Sequence, residues 1–210
     1  MARKTRANAA HTDENRLRIL EAAAIAFMES GFDAATVDDI AGRLNSTKGR
    51  LYYSFPSKTS LLIAVMEEGM SRTLRAVMEA KNASDDALDK LYAMAYAHAL
   101  QVIESLPFHV VTQDMLNRHR RRSLTEIERQ AIGKIIQQRH DYEAMFSSHI
   151  ADAVAAGQLR QIEPVLATRT MFGTLNSTAQ WYRPQADKAH SHANNLAETV
   201  TSVAMRGLIS

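Results

Sequence analysis

Around Gly49 the chain reads Thr47-Lys48-Gly49-Arg50-Leu51-Tyr52-Tyr53, which gathers a hydroxyl, two cations and two phenols about one glycine. A guanidinium at Arg50 can span O6 and N7 of a guanine, a pairing worth about 1–3 kcal/mol of base discrimination. Lys48 can reach either a base edge or a phosphate. Gly49 costs roughly 1 kcal/mol inside a helix, a loss with a purpose if another backbone must come close. Tyr52 and Tyr53 supply hydroxyls for phosphates, and one of the two rings is also suited to covering a small core. Thr47 is placed to cap the segment. Thr36 and Lys58 are placed to cap the flanking segments, and each could hold a phosphate as well. Arg43, Lys48, Arg50 and Lys58 fall within sixteen residues that contain no Asp or Glu. The formal net charge is only +2, so the local pattern, not the whole-molecule field, would steer the chain to an anion.

Other residues carry weaker chemistry. Met94, His98, Phe108, Tyr142, Met145, Phe146 and His149 would suit a pocket for an apolar ligand with one polar group, and they would equally suit a plain core. Arg118, Arg120, Arg121 and Arg122 form a cationic cluster, either a solvated helix start or a site for the phosphates of a large ligand. The histidines show no chelating spacing, so no metal is expected. Zero cysteines exclude disulfides and thiolate chemistry. No HExxH, phosphate loop, GxSxG or dinucleotide fingerprint occurs, so neither catalysis nor a cofactor is expected. No apolar run approaches the roughly 18 residues of a membrane helix, and nothing hydrophobic follows the basic N-terminus. The expected location is the cytoplasm.

The elements that position these groups are helical. The chain is 210 residues long, 46% hydrophobic, with 4 prolines and 8 glycines, and no strand-like alternation appears. Residues 1–12 read as a flexible basic arm. Apolar periodicity starts near Glu14 and places Leu17, Leu20, Ala24, Phe27 and Met28 on one face, up to the break at Gly31. Thr36 with Asp39 forms a capping box, and Asn45 tolerates the left-handed turn between the second and third helices. With Val37, Ile40, Leu44, Leu51 and Phe55, these positions make a core so small that it should lean on the helix beginning near Ser57. Two short helices joined by a tight turn, the second polar at its start, are the geometry of a helix-turn-helix. Further starts at Ser84, Pro107, Thr125, Pro164 and Asp187 predict an all-α chain of about nine helices. Three belong to a domain at 13–60 and six to a bundle at 61–210.

From Arg18 to Leu61 the residues resemble the DNA-binding domain of the TetR family of bacterial transcriptional regulators. Ile19, Leu20, Ala22, Ala23, Phe27, Gly31, Phe32, Thr36, Val37, Asp39, Ile40 and Ala41 stand where its pattern expects them. So do Thr47, Lys48, Gly49, Leu51, Tyr52, Phe55 and Lys58. Asn45 and Ser46 replace the family's usual glycine and valine, and Arg50 and Tyr53 replace a small residue and a histidine. The resemblance implies a homodimer that binds double-stranded DNA at a palindromic operator, usually as a repressor released by a small-molecule effector. An activator, or a helical protein-interaction module without DNA, is the competing reading. Trp181 to Pro184, WYRP, is similar to TetR-type regulators of lipid or steroid breakdown, some of which respond to acyl-CoA esters. Palindromic half-sites require a two-fold interface, for which the last two helices offer Phe172, Leu175, Ala179, Tyr182, Leu196, Val200 and Val203.

Overall fold

The computed structural model describes the backbone of residues 2–120, 124–184 and 189–209, with side chains from residue 13 onward except at 189 and 190. Among the described residues the chain is all-α: α1 (Ala2–Ala34), α2 (Val37–Arg43), α3 (Lys48–Ser54), α4 (Lys58–Ala80), α5 (Ala87–Glu104), α6 (Leu106–Arg120), α7 (Glu126–Ala155), α8 (Pro164–Trp181) and α9 (Ala189–Arg206). The segment expected as a flexible arm is helical backbone from Ala2 onward. Nothing in 2–13 breaks a helix: it contains no proline or glycine and has four alanines. Gly31, at φ 76° and ψ 155°, supplies the interruption expected at that point.

Contacts divide the described chain into two compact units. The first comprises residues 1–69 and 107–132, and is therefore larger than the 13–60 domain read from the sequence. Its three N-terminal helices bury Ile19, Leu20, Ala24, Phe27, Val37, Ile40, Leu51 and Phe55, and the start of α4 adds Leu61, Leu62, Val65 and Met66. Leu17 does not join this core (it is 39% exposed), and Leu44 is only half-buried. Phe108, Val111 and Met115 of α6 are buried within the same unit. A Cβ on Gly69 would lie 3.0 Å from the Phe108 Cβ, so glycine there lets α4 and α6 approach at nearly backbone distance. At the start of α7, Thr125 and Glu128 exchange capping bonds.

The second unit comprises residues 70–106 and 133–210. Asp86, not Ser84, is the N-cap of α5; it accepts from the amides of Leu88 and Asp89, while Ser84 Oγ accepts from the Asp86 amide. Those amides, Asp89 first, and the Gln158 side chain hold the Asp86 carboxyl below its ordinary range. Gly157, at φ 71°, ends α7, and Pro164 opens α8 behind the capping carboxylate of Glu163. His98 lies at the centre of this unit. Its Nδ1 is 2.9 Å from the Tyr142 hydroxyl and its Nε2 is 3.2 Å from Asn176 Oδ1. Phe146 and Phe172 close the cluster edge-on, with ring centroids 4.8 Å apart. Burial pushes the Tyr142 hydroxyl well above the usual phenol range.

Candidate nucleic-acid interface

The site is built on the α2–turn–α3 segment. Thr36 caps α2: its hydroxyl donates to Asp39 Oδ2 at 2.6 Å and accepts from the Asp39 amide at 3.1 Å, while its own amide donates to Oδ2 at 2.9 Å. These bonds hold the Asp39 carboxyl below its ordinary value. They also use the one hydroxyl proton of Thr36, so a phosphate could take it only by breaking the box. The turn closes through the Ser46 amide on the Ala41 carbonyl, with Asn45 at φ 48°. Leu51, fully buried, anchors α3 to the core, and Phe55 sits beneath the Arg16 guanidinium, 4.5 Å from its ring centre.

With Leu51 turned inward, the other face of α3 is presented outward. Thr47, Lys48, Gly49 and Arg50 are all exposed, and Tyr53 is 94% exposed. Tyr52 is partly covered by the unit beneath it. Thr47 occupies the N-cap position without making a side-chain capping bond, which departs from the expected role and leaves its hydroxyl to other uses. A Cβ on Gly49 would meet nothing within 4 Å, and its backbone is helical. Neither packing nor dihedral strain within the chain therefore explains a glycine there.

The charges are less free than the sequence implies. Arg43 pairs with Glu29 of α1. Lys48 Nζ donates to Asp38 Oδ2 at 2.9 Å, and the carboxylate that accepts this bond holds the ammonium above the usual lysine value. Lys58 departs furthest from a phosphate-gripping role. Its Nζ donates to the carbonyls of Phe32, Asp33 and Ala35 at 2.7, 3.0 and 3.0 Å, and it lies 4.7 Å from the Phe32 ring centre. It satisfies carbonyls left open where α1 ends. Among the described residues, Arg50 is the one of these four cations with no side-chain partner. Pairs such as Asp38–Lys48 join separate helices, and no spacing rule along the chain announces them.

The other candidate sites are distributed differently from expectation. Arg118 donates to Asp33 at 3.2 Å and lies over the Phe32 ring, so its guanidinium is engaged within the first unit rather than open to ligand phosphates. Arg120 is exposed, and Arg121 and Arg122 lie outside the described residues. The residues read as a pocket differ in their surroundings. Met94, His98, Tyr142 and Phe146 are buried, and His98, Tyr142 and Phe146 pack on one another as solid core. Met145 and His149 are half-buried, and Phe108 belongs to the first unit. Burial holds the His149 imidazole below the usual histidine range. A groove of about 290 Å³ lies between α7 and α8, lined by His140, Glu143, Ala144, Ser147, Val165, Thr168 and Arg169. The supposed interface stripe also faces inward: Phe172, Leu175, Ala179, Tyr182 and Val200 are buried within the second unit, Leu196 is half-buried, and only Val203 is largely exposed, at 63%. Leu166, Gly173 and Trp181 form the outer face of α8.

An all-α chain that displays a short polar helix beyond a tight turn is a helix-turn-helix protein. Residues 19–65 match the profile of bacterial regulatory proteins of the tetR family, and residues 84–208, more than half the chain, match the tetracyclin repressor-like C-terminal domain. The chain belongs to the TetR family, whose members are regulators and not enzymes. It is 34% identical over 92 residues to the HTH-type transcriptional activator FasR of Mycolicibacterium smegmatis, covering 44% of this chain and 42% of FasR. It is 31% identical over 87 residues to IcaR of Staphylococcus aureus, a negative transcriptional regulator of the biofilm operon icaADBC, covering 41% and 47% respectively. The matched segments thus span less than half the length of these relatives. Among solved structures, the TetR family regulator PfmR of Thermus thermophilus superposes with a TM-score of 0.74 at 28% identity, covering 90% of this chain and 97% of PfmR. The ketosteroid transcriptional regulator KstR2 of Mycobacterium tuberculosis gives 0.78 at 20% identity, covering 93% and 95%. AibR, in complex with isovaleryl coenzyme A and operator DNA, gives 0.70 at 21% identity, covering 90% and 96%.

No described helix is long and apolar enough to cross a membrane. Among the described residues, no group of three or more His, Cys, Asp or Glu could hold a metal ion.

Proposed function

We propose that this chain is a sequence-specific DNA-binding transcriptional regulator that acts in the cytoplasm as a homodimer on a palindromic operator. The observation that carries this is the outward face of α3: Arg50 unpaired, Tyr53 almost fully exposed, and Gly49 with no reason inside the chain to be glycine. Arg50 reads a base edge in the major groove, and Thr47, Tyr52 and Tyr53 position the helix on phosphates. Lys48 joins them once it leaves Asp38. Thr36 and Lys58 contribute by holding the frame rather than by touching DNA.

The sign of regulation is repression, through occupancy of the operator. The activator FasR supports the other sign and the negative regulator IcaR supports this one. An effector that favours a dimer with misplaced recognition helices would release the DNA, and bound DNA would lower effector affinity by the same factor. The isovaleryl coenzyme A bound by AibR supports an acyl-CoA or another lipid-derived compound as the class to try first.

Selection of bound duplexes from a random library at stated salt tests the reading. The expected product is a palindrome with half-sites one helical turn apart, about 34–36 Å. Recovery of no enriched motif would overturn it. Adding isovaleryl-CoA and longer acyl-CoA esters to the operator titration tests the effector class, and unchanged affinity with all of them would exclude it.

A further inference from the structure

We propose that Asp38 is a specificity-determining residue: it keeps Lys48 neutralised on non-operator DNA and surrenders it only where α3 is seated on its own site. This rests on the DNA-binding reading above. The two side chains meet across the turn, Nζ to Oδ2 at 2.9 Å, joining α2 to the first residue of α3. Both are about half exposed or more, so water and an incoming phosphate have access to the pair. Asp38 plays no part in the α2 capping box, which uses Asp39, so its carboxylate is not needed to start the helix.

The consequence follows from counterion release. Non-specific affinity comes from cations that replace condensed counterions on the phosphate backbone. A lysine already neutralised by a carboxylate adds little to that exchange. Arg43 is neutralised by Glu29 in the same way, and Lys58 is committed to carbonyls, which leaves Arg50 as the active cation of the segment. A loosely placed α3 therefore grips arbitrary DNA weakly. Where Arg50 finds its base and the helix sits deeper, a phosphate comes within reach of Lys48. Exchanging one anionic partner for another is then nearly balanced, so the lysine transfers. Asp38 thus suppresses competing sites more than it weakens the operator.

The test is anisotropy titration of a mixed-sequence duplex across a salt series with the full chain and three variants. Asp38→Asn is expected to tighten binding several-fold and to steepen the slope of log K against log salt by about 0.9 for each reading head engaged. Lys48→Gln is expected to leave the wild-type slope on this duplex unchanged. The double variant is expected to keep the salt slope of Lys48→Gln alone and to gain less affinity from Asp38→Asn than the parent does. A flatter slope in Lys48→Gln would mean that the lysine already contacts phosphate on any DNA, which overturns the proposal. An equal gain from Asp38→Asn in the Lys48→Gln background would reveal a general field effect and overturn it too. Failure of the wild-type chain to bind any duplex would remove the DNA-binding reading itself, and this proposal with it.

Discussion

At the scale of single residues, two substitutions separate reading from folding. Gly49→Ala fills open space on a helical backbone, so it should stabilise the fold by about 0.5–1 kcal/mol while interposing a methyl between α3 and its target. The expected result is a higher melting temperature together with weaker operator affinity. A variant that binds as well as the parent would mean that no backbone approaches there. Lys58→Met does the reverse. It leaves three carbonyls without their charged donor and should cost about 1.5–3 kcal/mol in chemical denaturation. The salt dependence of DNA binding by the molecules that remain folded should be unchanged, because this ammonium was never available to phosphate.

At the scale of elements, acid stability tests the two caps. Asp39 and Asp86 both have carboxyls held below their ordinary value of 3.8, by Thr36 and by the Asp89 amide respectively. A depressed folded value favours the charged form in the fold. The contribution is therefore complete above the unfolded value and is lost as pH falls through the folded one. Melting temperature should drop below about pH 4, and Thr36→Ala, which costs about 1 kcal/mol at neutral pH, should flatten that acid limb by removing the main cause of one shift. Equal acid limbs in both proteins would count against the cap as its source. Features of this local kind were legible in the sequence. The box Thr36/Asp39, the start at Thr125, the break at Gly31 and the turn at Asn45 each involve neighbours within a few residues. The inward face of α8 was not. Phe172, Leu175, Ala179 and Tyr182 make a continuous stripe, yet Leu166 and Trp181 offer apolar surface on the other side, and only packing chooses between them. Arg118 illustrates the same limit: its partner Asp33 is 85 residues distant in sequence, so this arginine read as ligand chemistry while the fold uses it internally. Side-chain types can be read along a chain, but their packing cannot: His98, Tyr142 and Phe146 meet as one buried cluster.

At the scale of the whole molecule, the proposed dimer has to use the faces left outward. Val203→Glu on α9 and Leu166→Glu on α8 alter exposed positions, so each should fold normally while introducing a charge that a two-fold interface would bury. Sedimentation should then show monomers, and operator affinity should fall more than tenfold as the two half-sites lose their linkage. A dimer that survives both variants would place the interface elsewhere. The contact between Gly69 and Phe108 bears on motion as well. Most helix pairs are separated by side chains that can change rotamer and absorb a displacement. At Gly69 no side chain of α4 intervenes, so α4 and α6 cannot be pressed closer at that point. Hydrogen exchange should record the two helices opening together, as a single mechanical part.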